Sequence, residues 1–458
     1  MDSLNSFNPE PEATAIANSR RRLRFRVKRP TAMPTNRRDF LTAAAAGLTL
    51  AATVRGDNAK AAPRGKAERC IFLWLGGGAG QIDTWDPKQL GDPNAKKAGS
   101  YYPAIDTAIP GVQVCQHLAR CAKIFDRFVP VRTVHHDVID EHAAAVMRMH
   151  TGRPTSGTIA YPSIGSIVAR QRGAAAEGVP AYVLIGYPNV TRGPGFLGSK
   201  HSYIYLTDTQ SGPAGLARPP EITADRQARR EALLAKVREG YLARQSGDGL
   251  VQQYDQTIGE ALRLAGPQFT RVFELSQEPG SLRDAYGGEF GQRCLLARRL
   301  IEAGVRFVEV SHNLNFLNGT GWDVHNEGIL QQHALIEELD KALAALVLDL
   351  ESKKQLDRTL IVVAGEFGRP AQFDAGGGRG HHAKCFSVAL AGGGLKTGQV
   401  IGESDELAMS IVSRPVSVSD LHATIHTALG INPAEHLYAG ERPVPITDGG
   451  RPIAELFS

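Results

Sequence analysis

Glu366 and Arg369 stand three residues apart in Gly365-Glu366-Phe367-Gly368-Arg369. Past the flexible Gly376-Gly377-Gly378 come Arg379 and the pair His381-His382. Carboxylate, guanidinium and imidazole can therefore meet at one rim, either for chemistry or as a salt-bridged loop. Asp323 and His325 are one residue apart, and in extended backbone such a pair projects to one side, so both can ligate a single ion. Asp83 follows Gly76-Gly77-Gly78-Ala79-Gly80, glycines that let backbone pass close to a ligand held by Asp83; its other reading is a turn cap. His135-His136-Asp137 and Asp140-Glu141-His142 bring three imidazoles and three carboxylates together, a density typical of metal or catalytic sites. His422 and His426 are four apart on a helix, but no HExxH glutamate accompanies them, so they read as packed or exposed histidines.

These groups follow short apolar runs. Thr359 to Ala364 reads as a strand buried on both faces of a parallel sheet, and Cys70 to Leu75, Phe128 to Val134, Ala181 to Gly186, Val305 to Ser311 and Cys385 to Ala391 read as further strands. Open α/β sheets gather their ligands at the carboxyl ends of such strands. Helices are expected at Ala143 to His150 with Gly152 closing it, from Pro162 to Gln171, from about Ile329 to Lys353, and at Ser417 to Gly430 with Ser417 as N-cap. Residues 219–303 show helical spacing with charged faces and read as a helical insertion. The glycine run after the first strand fits neither GxxxxGK[ST] nor GxGxxG, so it is not a phosphate loop.

The chain has 458 residues, 42% hydrophobic and 22% charged, enough for a large globular core. Residues 1–61 carry eleven Lys and Arg against five Asp and Glu, and the remainder is balanced to within one charge. The body of the protein thus gives no sign of a nucleic-acid partner or an anionic membrane. Five scattered cysteines show no zinc or disulfide spacing. Arg37 and Arg38 precede an Ala-rich apolar run, Leu41 to Val54, and Ala59-Lys60-Ala61 offers a cleavage site. This looks like a twin-arginine (Tat) export signal, with the Tat machinery as partner and a periplasmic or otherwise exported destination. The run is too short to span a membrane. Met33 is expected to be the true start. Residues 1–61 are read as a disordered basic extension plus signal, and 62–458 as a single domain.

The stretches RRDFL, IFLWLGGGAGQIDTWDPK, LLARRLIEAGVRFVEV, WDVH, LDRTLIVVAGEFGR and SVSDLHATIHTALGI resemble the DUF1501 family, within the alkaline-phosphatase/sulfatase superfamily. The resemblance implies an α/β/α sandwich around a mostly parallel sheet with a metal site at its carboxyl edge. It implies metal ligands at Asp83, Asp323, His325, Glu366 and His381. Phe367 stands where the sulfatase pattern has a metal-binding histidine, Glu366 replaces its Asp, and Gly380 replaces the Asp of GRDHW, which implies one ion rather than two. Carboxylates mixed with imidazole suit Zn²⁺ or Mn²⁺. Arg369 or Arg379 is expected to bind the substrate anion. Sulfatases carry C/S-x-P-S-R before a helix ending L-T-G-R. Met149 to Arg153 resembles that ending, and the position of the modified Cys falls on His142, so formylglycine cannot form. His142, at a helix start that favours its neutral form, is expected to be nucleophile, general base or metal ligand. The reading is an exported metal-dependent hydrolase of phosphate or sulfate esters, on a small-molecule or polysaccharide substrate. The alternative is a non-catalytic metal-containing protein that binds an anionic polysaccharide.

Overall fold

The computed structural model describes residues 65–457, apart from 210–211, 214–218, 220, 246–250, 252–254, 256–257, 260–261, 263 and 265–266. The basic segment, the proposed start at Met33 and the twin arginines Arg37 and Arg38 lie outside the described residues. No helix among those described is long and apolar enough to cross a membrane.

Eight strands make one sheet: β1 (Arg69–Trp74), β2 (Phe128–His135), β3 (Tyr182–Ile185), β4 (Ile204–Leu206), β5 (Phe307–Ser311), β6 (Thr359–Ala364), β7 (Phe386–Gly392) and β8 (Val416–Ser417). Their spatial order is β8-β2-β7-β6-β1-β5-β3-β4. Neighbours run parallel except β7, which is antiparallel to both β2 and β6. The expected mostly parallel sheet is therefore present, and its central strands are buried except for half-buried Arg69 at the start of β1.

Successive side chains of β1 go to opposite faces. Ile71 and Leu73 join a core with helices α4 (Glu289–Ala303) and α5 (Gln332–Ser352), through residues such as Leu295, Leu339 and Leu343. Cys70, Phe72 and Trp74 join the opposite core with α1 (His142–Thr151), α2 (Ile164–Arg172) and α6 (Val418–Ala428). Two apolar faces covered by two helix layers make an α/β/α sandwich. Between α2 and α4, α3 (Ala224–Arg244) buries none of its residues. Helix α4 fell within the expected insertion, but Phe290, Leu296 and Leu300 place it in the core.

Local signals end the helices as expected. Gly152 closes α1 at φ 71°, and Ser417 with Asp420 forms a capping box on α6. His422 and His426 on α6 are buried, and burial lowers their pKa values to about 4 and about 3. They are neutral packing groups, His422 being bonded to Met149 O at 2.7 Å. All five cysteines are buried and unpaired.

Candidate metal centre

The carboxyl ends of β1, β2, β5 and β6 lie on one edge of the sheet, and every candidate site residue comes from a loop or helix leaving that edge. The β5 loop carries Asp323 and His325, the β6 loop carries Glu366, Arg369 and His381, and the connection after β2 delivers His142 as the first residue of α1. Glu141 caps that helix by accepting from Ala143 N and Ala144 N, which fixes where His142 stands.

His142, Asp323, His325 and His381 each offer one ligand atom, and these atoms all lie within 4.8 Å of one another. His325 Nε2 is 2.9 Å from His381 Nε2. Asp323 Oδ1 is 3.1 Å from His325 Nε2 and 3.5 Å from His381 Nε2, and Asp323 Oδ2 is 3.3 Å from His142 Nε2. Tetrahedral ligation with bonds of about 2.0–2.1 Å separates donor atoms by about 3.4 Å. The observed spacings fit such an ion. Behind the rings stand three carboxylates: Glu366 Oε1 at 2.8 Å from His142 Nδ1, Asp140 Oδ1 at 3.3 Å from His381 Nδ1, and Asp374 Oδ2 at 3.9 Å from His325 Nδ1. At His142 the Glu366 carboxylate holds the Nδ1 proton and leaves Nε2 free to ligate. His381 Nδ1 makes no hydrogen bond to Asp140, and Asp374 is beyond hydrogen-bond reach of His325. His142 Nε2 and Glu366 Oε2 are buried without a hydrogen-bond partner.

Burial favours neutral His142, but the carboxylates of Asp323 and Glu366 beside its two nitrogens outweigh it and raise its pKa to about 9. Without an ion the ring is thus held cationic, contrary to the expectation from the helix terminus alone: two carboxylates at contact distance outweigh a partial dipole charge. Burial also disfavours ionised Asp323, yet His142, His381 and Arg369 hold its carboxyl well below the usual range.

Three expectations change. Asp83 lies outside the four-residue group. Its carboxylate is gripped by Arg379, Nε to Oδ2 at 2.6 Å and Nη2 to Oδ1 at 3.0 Å, and it accepts from Tyr101 N. A buried bidentate guanidinium already supplies the positive charge that a cation would bring. Glu366 stands behind His142, accepting from Gly77 N and His142 with one oxygen, and is not in the group itself. Arg369 is fully buried, and protein acceptors take its donors: Nε binds Gly78 O, Nη1 binds Arg379 O and Gly380 O, and Nη2 binds Asp323, Gly77 O and Trp322 O. It clamps loops and leaves no donor for a substrate. Arg379 is likewise consumed by Asp83 and the carbonyls of Gly99, Pro370 and Ala371.

The glycine run has a different use from the one expected. A Cβ at Gly77 would come 2.4 Å from Asp323 N, and one at Gly78 would come 2.6 Å from the Phe367 ring. The glycines admit protein rather than ligand. Phe367 packs 4.4 Å from His381 and 5.0 Å from His142, centroid to centroid, and walls the site. Of the three imidazoles after β2, only His142 enters; His136 binds Glu366 O. Sequence reasoning placed Asp140 in a metal-like or catalytic cluster and gave Asp374 no role. A carboxylate just ahead of the Gly376 to Gly378 run was the available signal.

The fold and this His₃Asp group define an α/β/α protein with a metal-type centre at the carboxyl edge of its sheet. The chain belongs to the family described as "Protein of unknown function (DUF1501)", whose model matches residues 67–457. No curated protein matches it. Similar solved structures include the PsFucS1 sulfatase from Pseudoalteromonas sp., at 12% identity and TM-score 0.37, covering 87% of this chain and 72% of that one. The lipoteichoic acid synthase LtaP from Listeria monocytogenes matches at 9% identity and TM-score 0.38, covering 84% and 75%. The phosphonate monoester hydrolase SpPMH from Silicibacter pomeroyi matches at 11% and 0.36, covering 84% and 76%.

Proposed function

We propose that this protein is an exported metal-dependent hydrolase of phosphate or sulfate esters that works without formylglycine. The observation that carries the proposal is the convergence of His142, Asp323, His325 and His381 within 4.8 Å. A divalent ion held there by His142, Asp323, His325 and His381, Zn²⁺ or Mn²⁺ by its donors, would supply Lewis-acid polarisation of an ester oxygen. Asp323, His325 and His381 are the minimal cradle. Phe367 packs on His381 and excludes water from one side. His142 is the variable member. Three protein ligands leave a position open for substrate, whereas a fourth closes the site. With the other three residues as ligands, His142, hydrogen-bonded at Nδ1 to Glu366, would face the reacting centre with Nε2 as nucleophile or general base.

The second reading is a metal-containing protein without turnover that binds an anionic polysaccharide. It is favoured by the availability of four donors, which can saturate an ion.

Metal analysis of the purified mature protein should find about one ion per chain, and a panel of aryl phosphates, phosphodiesters and aryl sulfates should reveal turnover. His142→Ala is then expected to lower kcat by at least about 100-fold while the ion stays bound. One ion with no turnover on any substrate selects the second reading. A protein that takes up neither Zn²⁺ nor Mn²⁺ defeats both. Export through the Tat pathway belongs to the same proposal. Exchanging Arg37 and Arg38 for lysine should leave the precursor in the cytoplasm, and unchanged export would show that another signal operates.

A further inference from the structure

A cavity of about 710 Å³ opens beside the later turns of α1, where Met147 and Thr151 line it. Its volume falls within the roughly 300–1,000 Å³ of small-molecule sites. None of the four histidine-group residues reaches it, so it is a separate feature that shares only the helix with the metal centre.

Its lining has an unusual chemistry. No Asp, Glu, Lys, Arg or His is among its described residues. The apolar wall includes Met147, Tyr161, Pro188, Pro194 and Tyr203, and the polar groups are neutral hydroxyls and an amide, from Thr155, Ser156, Asn189 and Ser202. The hydroxyls of Thr155, Tyr161 and Ser202 make no hydrogen bond to another described residue. The wall is also anchored. Arg192, within the loop from Asn189 to Gly195, is bonded through Nε to buried Glu309 on β5, which also holds His150 Nε2 of α1 at 3.1 Å and Tyr182 OH at 3.0 Å. One carboxylate thus ties two walls of the cavity to the sheet.

An anionic ligand would want a cation or converging donors, and none lines the cavity. A hydrocarbon would bury the free hydroxyls without partners, an unfavourable exchange. A ligand with its own hydroxyls can both donate to and accept from these groups, and its C–H faces can lie on tyrosine and proline surfaces. We infer that this cavity binds an uncharged saccharide. The inference stands independently of the proposed ester hydrolysis, because it uses none of the metal-centre residues.

The test is titration of the metal-loaded protein with cellotriose, maltotriose, xylotriose and chitotriose, followed by saturation-transfer NMR and calorimetry. Trigalacturonate and decanoate serve as anionic and apolar competitors. At least one neutral trisaccharide should bind saturably, with an affinity unchanged by 0.5 M NaCl. Gly157→Trp should weaken it at least tenfold with unchanged metal content and circular dichroism. A Cβ added there meets no protein atom within 4 Å, and Gly157 is itself part of the cavity lining. Tyr161→Phe should weaken binding several-fold. The inference is overturned if no neutral saccharide gives a saturable signal, if trigalacturonate or decanoate binds more tightly than all of them, or if Gly157→Trp binds like the wild type.

Discussion

Asp323→Asn is expected to lower metal affinity by at least about 100-fold. Losing a partner behind a metal ligand already weakens binding by 10–100-fold, and Asp323 is central to the group rather than behind it. Its Oδ1 faces His325 and His381, its Oδ2 faces His142, and Arg369 Nη2 donates to it at 2.6 Å. Asparagine keeps the shape and one acceptor but removes the charge that draws three imidazoles and an ion together. The same change leaves the buried Arg369 without its counter-charge, so folding stability should also fall, by about 3 kcal/mol. Competition against a chelator of known affinity measures the first effect, and urea unfolding of the metal-free protein measures the second. Wild-type affinity in the folded variant would remove Asp323 from the centre and with it the proposed cradle.

Separating Asp83 from Arg379 should be the most destabilising single change. Both side chains are fully buried, and Arg379→Met leaves a carboxylate with only the Tyr101 amide to solvate it. Breaking one side of a buried pair costs about 3–5 kcal/mol. Asp83→Leu combined with Arg379→Met should lose less than the two single changes added together, because no uncompensated charge remains. Asp83→Asn should leave metal stoichiometry at its wild-type value in the folded protein. If that variant instead folds well and loses its ion, Asp83 is a ligand after all, and the pairing with Arg379 gives way when the metal arrives.

Four of the residues proposed for chemistry, His142, Asp323, His325 and His381, do meet; the sequence reading gave His142 as nucleophile, general base or metal ligand and the other three as metal ligands. They were legible because each follows a recognisable apolar strand run, and strand ends of a parallel sheet must share one edge. The helix start at His142 was readable to within a residue, and the closing Gly152 is a local signal. Asp83, Glu366 and Arg369 looked equally suitable on that basis. Nothing local in Gln81-Ile82-Asp83 announces a guanidinium 296 residues away.

The sequence by itself determined six of the eight strands of the sheet and the edge at which ionisable groups would gather, while the short β4 and β8 and the antiparallel run of β7 were decided by the fold. Those follow from the periodicity of burial and from short-range caps and turns. Only the tertiary structure decided how the charges were shared out. Arg379 neutralises Asp83, Arg369 ties Asp323 to the loops around it, and Glu366 turns to the back of His142. A buried charge takes whatever opposite charge or donor lies nearest in space, and that choice has no period along the chain.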